Sequence, residues 1–277
     1  MEFLQYDFMQ RALVAAVLVG LAAPSVGIFL VQRRLSLMGD GMGHVALTGV
    51  ALGVLTGWAP VWVALATAVA GAVTIELLRA RGRTTSDLAL AIMFYGGIAG
   101  GVVLITKAPG GTAASLNQYL FGAITTTSQS DLVAFLVLAA VVLVLTIWLS
   151  RQLFAVANDE EYALASGMPV VPLNVLLAVL TATTVVLSMR VVGLLLISAL
   201  MVVPVATAQL VSRSFRSTMV LSLAIGVGCG VVGVSSSYYT NTPSGGAIVI
   251  IAIALFAATA VATSVLRTTR KRRVAAT

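Results

Sequence analysis

Apolar residues fall in blocks along the chain, at roughly 12–32, 36–56, 60–78, 87–106, 131–149, 171–189, 191–210, 217–236 and 244–266. A helix needs about 20 apolar residues to cross a bilayer, and each block comes close to that length. The pattern predicts an all-α polytopic membrane protein of about eight or nine transmembrane helices. Between the blocks, no polar stretch is long enough for a second, soluble domain, so 1–277 is expected to be one transmembrane domain ending in a basic tail at 266–277. The ambiguous region is 171–210, where only Met189 and Arg190 interrupt the apolar sequence. Arg190 marks either an outer turn between two spans or a side chain snorkelling from one kinked helix.

Composition and charge sharpen this picture. Hydrophobic residues make up 60% of the chain and charged residues 9%, with a mean hydropathy of +1.07, which excludes a soluble domain. The net charge of +7 is concentrated between apolar blocks and in the tail. Arg79, Arg81, Arg83, Arg213 and Arg216 lie in two such gaps, and Arg267, Arg270, Lys271, Arg272 and Arg273 in the tail. With nine spans and the N-terminus outside, all these clusters fall on the cytoplasmic side; with eight spans the N-terminus moves inside. The basic tail can also touch anionic lipid. Nothing accompanies the charges that would suit nucleic acid, neither a soluble surface nor an aromatic platform. Cys229 is the single cysteine and reads as a small packing residue. The first apolar block lacks a basic region before a short core, so it reads as a retained span and not as a removed signal peptide.

Within this apolar background, Asp40 and His44 stand out. They are spaced i,i+4 and share one face of a helix. A carboxylate at membrane depth costs roughly 2.5–3.5 kcal/mol on insertion scales, so one that persists there normally has a function. The pair either holds a divalent metal or forms a hydrogen bond that fixes helix packing. Small residues recur at Gly96, Gly97, Gly100 and Gly101 and at Gly226, Gly228 and Gly230, where helices can approach closely, and Pro24 and Pro204 mark kinks. Enzyme chemistry has no assembled set of residues: there is no P-loop, and a single histidine cannot supply His-Glu-x-x-His.

Two loops are unusual. One, 107–130, is too polar to span but carries Tyr119 and Phe121 next to Asn117 and Gln118, which suits an interfacial or re-entrant helix. The other crowds Asp159, Glu160 and Glu161 ahead of Tyr162–Ser166, with Gly167 and Pro169 behind. That order describes a short capped helix, either a docking element for a partner or a solvated connector.

Together, these residues resemble the membrane permeases of the metal-ion ABC importers, relatives of the type II importer permeases. The motifs run from Arg33-Arg34-Leu35-Ser36-Leu37-Met38-Gly39-Asp40 with His44 and Gly49–Gly53, through Asp87–Ile92 and Tyr119–Gly122. They continue through Glu161–Gly167, Arg190–Gly193 and Val203–Ala208 to Thr242–Gly245. The resemblance implies that Asp40 and His44 lie on the path of a transported divalent ion (manganese, zinc or iron), with no permanently bound cofactor. It implies a homodimer in the bacterial inner membrane, a cytoplasmic ABC ATPase dimer that hydrolyses ATP, and an extracytoplasmic metal-binding protein docking on 107–130 and 237–244. The ATPase-docking residues would be Asp159, Glu160, Glu161, Ala165 and Gly167, with Arg213 and Arg216 as a second contact. Two departures from the family pattern stand out: Ala123 and Ile124 follow Gly122 where relatives often carry a polar or acidic residue, and Tyr95 stands where some zinc-type members carry histidine. Fewer nitrogen ligands weigh against zinc. The alternatives are an ABC permease for a metal chelate such as a siderophore or cobalamin, a proton-coupled transporter using Asp40, or a membrane scaffold.

Overall fold

The computed structural model describes residues 6–82, 86–108, 119–120, 122, 129–189, 192–194 and 196–274. Arg83, the 109–118 stretch with Asn117 and Gln118, Phe121, Ala123, Ile124 and Arg190 lie outside the described residues, as do the side chains of Asp87 and of the cations in the tail. Among the described residues the regular structure is helical. The helices are α1 (Asp7–Gln32), α2 (Met38–Thr56), α3 (Pro60–Ala80), α4 (Ser86–Lys107), α5 (Gln129–Trp148), α6 (Ser150–Asn158) and α7 (Glu160–Ala165). They continue as α8 (Val170–Ser188), α9 (Ile197–Val211), α10 (Phe215–Thr240) and α11 (Ser244–Val274).

Seven of these helices are long and apolar enough to cross a membrane by themselves, and α5 with α6 makes an eighth through a 67° bend. The exception is the block at 191–210. In place of a full span, its helix begins only at Ile197 and runs 15 residues, about 22 Å at 1.5 Å per residue. The sequence ahead of it is diverted: Gly193 takes a positive φ of 87°, and the Leu194 N–H donates to the Tyr119 carbonyl at 2.9 Å. Val192 and Leu194 are nonetheless buried. Irregular backbone of this kind is tolerated in a membrane protein where other protein covers it.

The helix ends explain the turns. α1 closes with Arg34 N–H on the Val31 carbonyl and Leu35 N–H on the Leu30 carbonyl, with Arg34 left-handed at φ 59°. This is the two-bond closure normally given to glycine, and a non-glycine residue holds it at a cost of roughly 1–2 kcal/mol. It sends the chain straight into α2. α7 is the short helix that the acids and Gly167 predict: the Asp159 side chain accepts from Tyr162 N–H at 2.9 Å, and Gly167 ends it at φ 77°.

The centre of the bundle is α1 and α8, whose spanning windows are each 72% buried, against 17% for α11, 22% for α3 and 28% for α4. α1 packs on α10, and a Cβ added at Gly226 would strike the Gly20 carbonyl and Pro24. Cys229 is buried in the same helix. At α4 the small-residue cluster divides by face. Gly97, Gly100 and Gly101 press on α2 while Gly96 meets nothing.

Candidate functional site

Asp40 lies in the first turn of α2, one residue after Gly39, which is packed against the Ser198 side chain of α9. Ser198 Oγ donates to Asp40 Oδ1 at 2.9 Å. Ser198 itself stands in the first turn of α9, so the interrupted helix brings its N-terminal end to the carboxylate. That end carries partial positive charge and faces an acidic side chain. The break that shortened the expected span therefore has a local consequence for the site.

His44 follows one turn later and is buried. The edge of Phe94 on α4 meets its ring at a centroid distance of 4.4 Å and 73°. Gly97 is what allows α4 so close, because a Cβ there would collide with the backbone of His44 and Val45. Thr48 then donates to the Gly97 carbonyl at 2.7 Å. Among the described residues His44 Nδ1 has no hydrogen-bond partner. A buried, unpaired polar atom costs roughly 1–3 kcal/mol, so this nitrogen keeps capacity for a water or a ligand. Beside Asp40 opens a cleft of about 360 Å³, whose walls include Leu37, Leu90, Phe94 and Tyr95. Tyr95 and Leu37 are strongly exposed at its mouth. Among the described residues no group of three or more His, Cys, Asp and Glu side chains comes together. The chain thus offers a carboxylate on the wall of an open cleft and, one turn further along α2, a buried imidazole nitrogen outside that wall.

The second predicted group of residues gathers around Arg33, which caps the C-terminal end of α1. Arg33, whose side chain is 6% exposed, pairs with Glu160 on α7 at 2.9 Å. Its other terminal nitrogen donates to Asn174 Oδ1 at 2.8 Å, and Asn174 Nδ2 donates to Glu160 Oε1 at 2.9 Å. Arg79 stands 3.8 Å from Glu160 and binds the nearly buried Glu76 at 2.6 Å. Burial and the neighbouring Arg79 push Arg33 down from its ordinary range while Glu160 and Glu76 pull it back up; it stays a cation. α1, α3, α7 and α8 are thereby tied at one point. Glu160 turns into this cluster, while Glu161, Tyr162, Leu164, Ala165 and Gly167 remain exposed. Arg213 is exposed in the turn between α9 and α10. Arg216 instead lines a cleft against α6. Sequence reasoning missed Ser198, Phe94, Asn174 and Arg79 as contributors. Asn174 alone left a sign, as a lone amide in an otherwise apolar block.

The bundle of spanning helices defines a polytopic membrane protein. Residues 5–263 match the ABC 3 transport family. The chain is 33% identical over 256 residues to the manganese transport system membrane protein MntC of Halalkalibacterium halodurans, covering 92% of this chain and 87% of that one. It is 32% identical over 259 residues to the manganese import system permease protein ScaB of Streptococcus gordonii, covering 92% of each. Among solved structures, PsaBC from Streptococcus pneumoniae in complex with Fab superposes with a TM-score of 0.83 at 33% identity, over 93% of this chain and 94% of that one. The chain belongs to the ABC 3 transport family, the membrane permeases of metal-ion ABC importers. It is a multi-pass membrane protein.

Proposed function

We propose that this permease carries manganese into the cytoplasm along a path that includes Asp40 and His44. The observation behind the site is the buried, unpaired Nδ1 of His44 one turn from a carboxylate at the edge of an open cleft. Two donors are too few to hold a resident ion, which suits a path that must release what it binds. A second copy of the chain would supply another Asp40 and His44, with water completing the shell. Carboxylate and water donors favour manganese over zinc, which prefers sets richer in His and Cys, and the relatives named for manganese support the same choice. ATP hydrolysis would reside on a separate cytoplasmic ATPase dimer, with an extracytoplasmic metal-binding protein delivering the ion. The bilayer is taken to be a bacterial inner membrane.

Coupling follows from the cytoplasmic cluster. Exposed Tyr162 and Leu164 on α7, flanked by Asp159, Glu161, Ala165 and Gly167, offer the ATPase a handle, and Arg213 a second contact. A displacement of α7 pulls Glu160, which holds Arg33 at the end of α1. Arg33 precedes the left-handed Arg34 turn, and six residues after Arg34 comes Asp40. The push is thus delivered to the first turn of the helix that bears the metal pair.

The test is ATP-dependent uptake of radiolabelled manganese, with zinc in parallel, in vesicles holding the chain with its ATPase and binding-protein partners. Saturable manganese uptake that is lost on removing the Asp40 carboxylate supports the reading. Uptake of a siderophore or cobalamin instead, or uptake without an ATPase, would replace it with the chelate or proton-coupled alternative.

A further inference from the structure

A second cleft, of about 530 Å³, lies where the bend between α5 and α6 meets the first turns of α10. Its rim carries Arg151 and Arg216, one from each side, and no carboxylate lines it. Both arginines are exposed, and among the described residues neither has an ion-pair partner. The wall turns apolar toward the membrane. On α10, Val220 follows Arg216 by one turn and Leu223 comes deeper, while Ile147 faces them from the last turn of α5. The floor is aromatic, with Phe154 and Phe215 at a centroid distance of 4.6 Å.

The level of this cleft in the membrane is marked by Trp148, the last residue of α5. It is 77% exposed and of the residue type that collects at the headgroup boundary. After it the 67° bend turns α6 away from the direction of the span. Exposed Val220 and Ile147 lie on the hydrocarbon side of that level, where a soluble partner cannot reach them. Two cations at headgroup level above an apolar groove are complementary to one kind of occupant.

We propose that the α5–α10 cleft binds one anionic phospholipid of the cytoplasmic leaflet. Its phosphate sits between Arg151 and Arg216, and an acyl chain runs along Ile147, Val220 and Leu223. This assigns Arg216 to lipid and leaves Arg213 to the ATPase. The site rests on the sidedness of the bundle and is independent of the metal path.

The test uses the full chain in nanodiscs with Trp58→Phe and Trp62→Phe, so that Trp148 is the sole tryptophan. Its fluorescence is titrated with bromine-labelled phosphatidylglycerol and, separately, bromine-labelled phosphatidylcholine. Phosphatidylglycerol is expected to quench at an about tenfold lower mole fraction. Arg151→Gln with Arg216→Gln should abolish the preference, and Arg213→Gln should keep it. Equal quenching by the two lipids, or a preference that survives the double substitution, overturns the proposal. Should the double variant fail to fold, each single substitution must lower the preference, and its retention in both overturns the proposal equally. Co-purification of the ATPase is followed alongside. Its loss in Arg216→Gln with lipid preference intact gives Arg216 to the ATPase and also overturns the assignment.

Discussion

Two polar clusters interrupt the apolar bundle, and they are built on opposite terms. At the end of α1, Arg33, Asn174 and Glu160 close a ring of hydrogen bonds, and Arg79 and Glu76 extend it. Their principal polar contacts are made inside the chain. Around Asp40 and His44, one carboxylate oxygen has a serine donor and the buried imidazole nitrogen has none. Low dielectric raises the stakes of both arrangements. A closed network holds elements in one geometry, whereas an incomplete one retains capacity for something that comes and goes. The proposed coupling joint needs the former, and the proposed ion path the latter.

That contrast can be broken by substitution, and the largest effect is expected at the open cluster. Asp40→Asn or His44→Ala should lower manganese uptake by about two orders of magnitude while the chain still assembles with its ATPase; unimpaired uptake in both would reduce the pair to a packing contact. Next comes the wall that frames it. Gly97→Val forces α4 off the backbone of His44 and should cost about 2–3 kcal/mol, read as a lower unfolding temperature together with reduced uptake. At the closed cluster, Arg33→Gln should cost about 2 kcal/mol, and Glu160→Gln about 1 kcal/mol because Glu160 is half exposed. Here the telling measurement is a double-substitution cycle: the two effects should fall short of additivity, and ATP hydrolysis should persist while uptake drops. Additive losses would deny that the residues act as a joint. The smallest effect is expected for Ser198→Ala, about 1 kcal/mol, seen as a severalfold weaker half-saturation for manganese with stability nearly unchanged.

Much of the architecture could be read from the chain because the bilayer imposes a length and a polarity on each span. Eight of the nine apolar blocks contain a helix of the expected extent, counting α5 through its bend. The short capped α7 was legible for a different reason: acids ahead of a helix and Gly167 behind it act locally. The block at 191–210 left eight or nine spans open in the sequence, and the structure has the shorter α9 there, because hydropathy cannot register a diverted backbone. Gly193 and the hydrogen bond from Leu194 to Tyr119 join segments far apart in sequence. Glu160 illustrates the same limit within a motif that was recognised. It reads like its neighbours Asp159 and Glu161, yet it is the acid that turns into the Arg33 cluster.

By itself the sequence determined the all-helical membrane class and the pairing of Asp40 with His44. Hydropathy and the i,i+4 rise of a helix are properties of consecutive residues. Only the tertiary structure decided that α9 starts late enough to bring Ser198 to Asp40, that Phe94 and not a polar group covers His44, and that Arg33 meets Glu160 across more than a hundred residues of chain. Those contacts depend on how glycine-lined faces let particular helices approach, and close approach is settled by the fit of two surfaces that no single stretch of sequence contains.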